Sequence, residues 1–344
     1  MSQDLLYTYV TGFDRAIRET VEVVGGKLRP YVQLATGDLY RSEGVYQRTT
    51  GGGLPQKVTN RFGDSPVSEL DYSRRRVTRT PFHDGQFMDW ADVVRMGTDP
   101  RSNKLTAMRN KFLRQEDIIL DQAMLGNAAG GANGETTVAF GDSGDAEGTA
   151  VFADDNIVAV TLGAAAGKTN AGFNYEKFTN TIERFGNNNV DIEYEAPCFK
   201  ISYSQWENMM QDDKFINFDY TGARPVDGMT PTMVRDYMGC KFIVSNIVPY
   251  CADSTPTVTT DFNIADTDIT ATGTWDDTDS SDVRLCYAFT KDAALLEVNP
   301  DITTSIDKRA DKGFNWYSYL KMDLGAVRME EAKVIAIPCD QSPA

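Results

Sequence analysis

The chain has 344 residues, 41% hydrophobic and 24% charged, a composition that is ordinary for a folded globular protein and excludes a disordered one. Its 34 basic and 50 acidic side chains give a formal net charge of −16, which argues against broad, non-specific nucleic-acid binding because such binding needs a basic surface. The opening residues carry no basic segment, and no run of about 18 apolar residues occurs, so we expect a soluble protein made in a cytosol, without a secretory signal or a membrane-spanning helix.

The first third of the chain reads as one helix followed by extended segments. Residues 14–24, DRAIRETVEVV, have apolar side chains one turn apart and are followed by two glycines that end the predicted helix. The chain then looks extended up to TTGGGLPQK, residues 49–57, which favours a flexible tip or kink. From Val58 to Met88 the alternation of polarity predicts a long two-stranded excursion, with turns at FGDSP and at HDG, the latter containing the lone histidine, His83.

Four arginines lie within six positions of this excursion: Arg74, Arg75, Arg76 and Arg79. They are open to three interpretations: a DNA-binding patch, a solvated strand face, or a contact between subunits. The segment lacks the interleaved aromatic residues of single-strand binders and any helix-turn-helix pattern. We favour a contact in which these arginines pair with carboxylates of another copy. On this hypothesis, changing Arg75 and Arg76 together to Glu leaves the subunit folded and weakens assembly.

A long helix is the strongest prediction for the middle of the chain, at residues 98–127. Asp99 can cap its first amide groups, Pro100 fits the first turn, and Gly126 suits the left-handed C-terminal position. At 1.5 Å per residue the helix would be roughly 40 Å long, which indicates a structural spine. A second amphipathic helix is predicted at residues 175–185, ending at Gly186.

The remaining pattern is α+β with two polar insertions. A segment rich in Gly and Ala runs from about residue 130 to 171, and residues 252–282 hold eight aspartates and no Lys or Arg. A short helix opens with SQWE, where Ser204 and Glu207 have capping-box spacing. The predicted strands are CFKISY, CKFIVSN, RLCYAFT, ALLEV, WYSYLKMDL and AKVIAI.

Several motifs resemble enzyme or metal sites without completing them. The segment Gly163–Thr169 ends in the Gly-Lys-Thr of a phosphate-binding loop, but Leu162 stands at the first glycine position, so a nucleotide-binding enzyme is kept only as the alternative. One histidine cannot build a His-based zinc motif, and no pair is marked among the acids as in a glycosidase. The aspartate-rich insertion lacks ordered calcium-loop spacing and favours a solvated loop. We expect no metal, no cofactor and no catalytic residue.

The five cysteines are widely spread, odd in number and free of any CxxC pair. This pattern fits neither a zinc site nor a disulfide framework, so we expect reduced thiols, buried as small apolar side chains. They are Cys198, Cys240, Cys251, Cys286 and Cys339.

The order of these elements resembles the major capsid protein of tailed bacteriophages, with the Hong Kong 97-type shell fold. FDRAIRETVEVVGGKLRPYV is similar to the N-terminal arm of one subfamily, and the run from GDSPVSELDYSRRR to DQAMLGNA is similar to its extended loop and spine helix. APCFKISYSQWENMMQDDKFINFDY and VRDYMGCKFIVSN resemble the axial domain, and YSYLKMDLGAVRMEEAKVIAIP resembles the closing strands of the peripheral domain.

This resemblance implies a division of the chain into five segments. They are an N-terminal arm (1–39), an extended β-hairpin loop (40–90), a peripheral domain with the spine helix and a polar insertion (91–189), an axial domain with the acidic insertion (190–283), and C-terminal strands of the peripheral domain (284–344).

The resemblance also implies a function. The protein would self-assemble as pentamers and hexamers into an icosahedral head enclosing double-stranded DNA, in the host cytoplasm, as a virion component and not as an enzyme. Its partners would be copies of itself, a separate scaffolding protein, a portal and a possible decoration protein. A decoration protein is itself an alternative reading of the chain. Some members cross-link neighbours through a Lys–Asn bond, and Lys57 occupies a position where that lysine would lie.

Overall fold

The computed structural model of the chain describes residues 25–35, 43–50, 55, 57, 71–89, 101–131, 134–138, 140, 156–164, 170–216, 236–251 and 283–341. Their architecture is α+β, with few helices and several sheets. The helices are α1 (Arg101–Leu125), α2 (Tyr175–Asn187), α3 (Tyr203–Gln211) and α4 (Asp213–Ile216). The predicted helix at residues 14–24 and the aspartate-rich insertion lie outside the described residues. No helix within these ranges is both long and apolar enough to cross a bilayer.

The strands of the described chain, in order, are β1 (Gln33–Ala35), β2 (Glu43–Thr50), β3 (Asp71–Thr78), β4 (Thr80–Met88), β5 (Ala128–Gly130), β6 (Thr136–Val138), β7 (Cys198–Ile201), β8 (Asp236–Tyr237), β9 (Cys240–Val244), β10 (Tyr250–Cys251), β11 (Val283–Phe289), β12 (Ala294–Val298), β13 (Thr303–Arg309), β14 (Asn315–Arg328) and β15 (Val334–Asp340).

These strands form three sheets. The first has the order β1–β12–β14–β13, and β4 pairs along the opposite edge of β14. The second has the order β10–β11–β7–β9–β8, with β15 added to β11, and the third has the order β2–β3–β5–β6. The pairs β1–β12 and β7–β9 are parallel and the other paired strands are antiparallel.

Helix α1 packs on one face of β14, and this confirms the predicted long helix and its apolar stripe. Met108 and Phe112 are buried against alternate residues of the strand, namely Leu320, Met322 and Leu324. Because side chains alternate along a strand, the odd-numbered residues of β14 point away from the helix. Over residues 315–323 of β14, the strands β4, β14 and β13 thus form a ribbon with one face covered by α1 and one face that no other described element covers.

A second core lies between the six-stranded sheet and the helices α2, α3 and α4. Its centre is aromatic, with Phe178 and Phe199 at a ring-centroid distance of 5.3 Å and Phe199 and Phe242 at 5.2 Å. Tilted and stacked rings at such distances stabilise a core beyond the area that they bury. Asn174 caps α2 by accepting a hydrogen bond from the backbone amide of Lys177.

Residues 25–28 fasten the chain to α1 and to the second sheet. The amide of Gly26 donates to the carbonyl oxygen of Leu113 at 3.1 Å. The Asp117 carboxylate accepts the amides of Lys27 and Leu28 at 3.3 and 3.2 Å, and Lys27 Nζ donates to the carbonyl oxygen of Val244 at 2.8 Å. This clamp connects the helix to a strand of the other sheet.

Several local predictions are wrong. Gly186 was expected to end α2, but the helix continues to Asn187. His83 lies inside β4 opposite Lys321 and not in a turn, since pairing with β14 continues through HDG. Strand β3 pairs with β2 and β5, and β4 pairs with β14 in another sheet, so residues 71–88, the described part of the predicted excursion from Val58 to Met88, do not form a two-stranded unit. Helix α3 begins one residue early, capped by Ser202, whose hydroxyl accepts the amide of Gln205, and the predicted box of Ser204 and Glu207 is not used.

Candidate subunit interface

The antiparallel hairpin of β2 and β3 carries the arginine cluster and divides it between two faces. Arg74 lies opposite Gln47 and Arg76 opposite Val45, and both arginines point to one side of the hairpin. Arg74 is exposed and Arg76 half-buried, whereas Arg75 is 1% and Arg79 7% exposed. Two of the four predicted contact residues therefore face outward.

Arg75 belongs to a buried ion cluster. Its Nη2 lies 3.5 Å from Oε1 of Glu331, and the other carboxylate oxygen of Glu331 accepts a hydrogen bond from Arg328 Nε. Arg328 also donates to the carbonyl oxygens of Met124 and Gly126 at 2.9 and 2.6 Å, where α1 ends. The Glu331 carboxylate, which binds Arg75 of the hairpin and Arg328 beside the end of α1, thus joins the hairpin to that helix.

Arg79 forms a second buried pair at the base of the hairpin. Its Nε lies 3.6 Å from Oε1 of Glu297, and its Nη1 donates to the carbonyl oxygen of Asn299 at 3.2 Å. The Tyr46 hydroxyl donates to Oε2 of Glu297 at 3.2 Å. Burial, reinforced by the Glu297 charge, raises the pKa of Tyr46 to about 12, which keeps the phenol protonated as a donor.

These contacts correct one expectation from the sequence. The change of Arg75 and Arg76 together to Glu was expected to leave the subunit folded. In the structure, a carboxylate at residue 75 would lie inside the buried cluster beside Glu331, so the fold itself would be destabilised.

The outward face of the hairpin combines charge with exposed apolar surface. Arg76 pairs with Glu43 at the partly exposed edge of the face. Arg74 makes no hydrogen bond or ion pair with any described residue. Tyr72 is 70% and Val45 48% exposed on the same face. An arginine beside an exposed tyrosine is the composition typical of the centre of a protein–protein interface.

Comparison with known proteins identifies the family. Residues 6–341 match the family of phage capsid proteins. The chain belongs to this family. It is a major capsid protein, a structural subunit of a phage head. No curated protein matches it by sequence.

Solved phage capsids share its fold. The capsid of Ralstonia phage GP4 has a TM-score of 0.63 and 12% identity, covering 96% of this chain and 95% of that one. The head of Helicobacter pylori bacteriophage KHP40 has a TM-score of 0.63 and 11% identity, covering 97% of each chain. The capsid of Cyanophage P-SCSP1u has a TM-score of 0.62 and 11% identity, covering 96% of this chain and 92% of that one. At these identities the similarity concerns the fold.

Lys57, the predicted cross-linking lysine of this capsid protein, is exposed. Its cross-linking role stays a prediction.

The structure gives the enzyme alternative no support. Gly163 lies in a turn with φ of 75°, residues 165–169 are outside the described ranges, and α2 begins only at Tyr175. A phosphate-binding loop requires the helix to start at the lysine. Within the described ranges no three His, Cys, Asp or Glu side chains converge as a metal site. Four of the cysteines, Cys198, Cys240, Cys286 and Cys339, are buried free thiols, as predicted.

Sequence reasoning missed the acidic partners of the hairpin, Glu297 and Glu331. Both are 1% exposed and lie more than two hundred residues from the arginines that they bind. One signal was available: Glu297 is the single charge in the apolar strand ALLEV, and a charge in a buried strand normally has a partner.

Proposed function

We propose that this capsid protein assembles as pentamers and hexamers into an icosahedral head around double-stranded DNA, with the Hong Kong 97-type division into arm (1–39), extended loop (40–90), peripheral domain (91–189), axial domain (190–283) and C-terminal strands (284–344). The family match over residues 6–341 supports this proposal most strongly. The net charge of −16 is consistent with a wall that holds DNA without binding it tightly.

The outward face of the β2–β3 hairpin is the proposed contact with another copy. Arg74 and Arg76 are its cationic residues, while Arg75 and Arg79 hold the hairpin on its own subunit. Many modest contacts of this kind, repeated by closed symmetry, are sufficient for a stable shell. A scaffolding protein, a portal and a decoration protein are the further partners, with assembly in the host cytoplasm and no enzymatic activity.

Co-expression with the scaffolding protein tests this proposal, with sedimentation velocity and negative-stain microscopy as readouts. We expect closed shells from the unaltered chain and fewer shells from Arg74→Glu. The matched control is Arg109→Glu, which reverses an exposed arginine on α1 and should assemble normally. A stable monomer or dimer in every condition contradicts the proposal. Equal shell yields from Arg74→Glu and Arg109→Glu contradict the role of the hairpin face only.

A further inference from the structure

The uncovered face of the ribbon formed by β4, β14 and β13 carries a row of aromatic rings. Phe87 and Tyr317 lie opposite each other on neighbouring strands, and Tyr319 follows on β14 opposite Gly85. Phe87 is 46% exposed and the two tyrosines are half-buried. Helix α1 packs on the other side of β14, so the rings stay partly exposed, with Arg309 over Tyr317 and the His83 ring beside Tyr319.

The rings form a continuous π surface along the ribbon. Phe87 and Tyr317 have a centroid distance of 4.5 Å, and Tyr317 and Tyr319 are stacked at 6.1 Å with an interplanar angle of 27°. The Tyr317 ring lies across Gly85, where the Cβ of any other residue would collide with the phenol. A glycine at this strand position therefore lets the tyrosine lie flat and expose its ring face.

One guanidinium group already lies on this surface. The Arg309 guanidinium is 5.5 Å from the centroid of the Tyr317 ring, and Asp311 holds it through hydrogen bonds of 3.0 Å to Nε and Nη2. The face of an aromatic ring attracts such cations through its quadrupole. The surface is therefore chemically suited to arginine.

We propose that this aromatic face, Phe87–Tyr317–Tyr319, receives the outward face of the β2–β3 hairpin of a second copy, with Arg74 placed over the rings. The inference rests on the proposed shell function and assigns one contact within it. Arg74 supplies a guanidinium without a partner in its own described chain, and Tyr72 beside it supplies exposed aromatic surface. Cation–π contact suits a strongly acidic chain, because it uses the arginine without requiring another carboxylate at the interface.

The hairpin of the same chain cannot occupy this face. Strands β3 and β4 are joined by Arg79 alone, and β4 runs along β14 from Leu324 to Trp316. Arg74 thus precedes Gly85, the residue opposite Tyr319, by eleven positions of nearly continuous strand, a separation of about 35 Å. A β2–β3 hairpin that occupies this face therefore belongs to another copy.

A double-mutant cycle on the full chain, assembled with its scaffolding protein, tests the contact. Arg74→Gln removes the cation and Tyr319→Leu removes the ring while keeping apolar bulk. We expect each change to raise the critical subunit concentration for shell formation about 5-fold, and the two together also about 5-fold, since both remove one interaction. The matched control pair is Arg109→Gln with Tyr194→Leu, both exposed side chains outside the aromatic face and the hairpin face, which should leave the critical concentration unchanged.

Each other outcome overturns the inference in a distinguishable way. Multiplicative effects, about 25-fold for the double variant, would mean that the two faces do not meet. Normal assembly of Tyr319→Leu with altered DNA retention would assign the rings to base stacking. Normal assembly of both single variants would show that this contact does not form, without contradicting the capsid function. Absence of shells from the unaltered chain would overturn the capsid function together with this contact.

Discussion

Three carboxylates of α1 are fully buried, and their surroundings differ. Asp121 accepts hydrogen bonds from Lys200 Nζ at 2.6 Å and from the Tyr287 hydroxyl at 2.5 Å. Burial nevertheless raises its pKa to about 6, because desolvation outweighs the lysine charge. Asp117 binds backbone amides, whereas among the described residues Glu116 has only the Arg29 guanidinium, 3.6 Å away. Burial raises the pKa of Glu116 to about 7.

Glu116 should make stability depend on pH near neutrality. The groups facing it are the Arg29 cation and the Asp117 and Asp301 carboxylates. Its pKa rises on folding from 4.5 to about 7, so the folded state binds the proton more tightly and stability falls as pH rises through this range. The fall is about 3 kcal/mol for an ideal two-state subunit. Urea unfolding should be measured from pH 4.5 to 7.5. The free energy of unfolding should fall less steeply with pH for Glu116→Gln than for the control Glu207→Gln, which changes an exposed side chain. Parallel curves would contradict the assignment.

Arg75 and Arg74 are adjacent in sequence and should differ sharply in effect. Arg75→Ala leaves the buried cluster of Glu331 and Arg328 with a cavity and altered charge, and should lower the free energy of unfolding by about 3 kcal/mol. Arg74→Ala, on the exposed face, should change it by less than about 0.5 kcal/mol. Denaturant titration of both unassembled variants decides this. Equal losses of the free energy of unfolding in the two variants would mean that Arg75 does not bind the buried cluster of its own subunit.

At the residue scale the sequence revealed the arginine cluster but not its division. Strict alternation along a strand would have separated Arg75 from Arg74 and Arg76. The direction in which each face points could not be deduced, because its buried partners are distant in sequence: Glu297 lies in β12 and Glu331 in the short turn between β14 and β15.

At the scale of elements, periodic segments were predicted well and pairings poorly. Helices α1 and α2 follow from a regular apolar stripe, which is a local signal. The strand ALLEV was predicted with its observed bounds, whereas β13, Thr303–Arg309, was missed because nearly all its residues are exposed and polar. HDG was assigned to a turn, but β14 supplies a pairing partner over nine residues and keeps the chain extended.

Two glycines beside or inside helices should respond oppositely to alanine. At Gly25 a Cβ would collide with the backbone of Leu113 and Arg114, so Gly25→Ala should loosen the clamp on α1 and lower the melting temperature. Gly186 lies inside α2 with nothing within 4 Å of its Cβ position, so Gly186→Ala should stabilise by about 0.5–1 kcal/mol. Scanning calorimetry measures whether the melting temperature falls for Gly25→Ala and rises for Gly186→Ala. A rise in melting temperature for Gly25→Ala would contradict the close contact at α1.

At the scale of the whole molecule, buried charge fastens the elements together, and we propose that exposed charge contacts other copies. The clusters around Glu331 and Glu297 fix the hairpin on α1 and on the first sheet, and the Lys27 contact fixes α1 to the second. A rigid subunit with outward arginine and aromatic faces suits a lattice, since pre-formed surfaces lose little conformational entropy on association.

An electron cryomicroscopy reconstruction of shells from the unaltered chain tests the capsid assignment most directly. We predict a closed icosahedral particle built of pentamers and hexamers, into whose density the described subunit fits, with the β2–β3 hairpin of one copy lying on the β4–β14–β13 ribbon of another. A particle without such capsomers, or one whose wall density does not accommodate this subunit, would contradict the assignment.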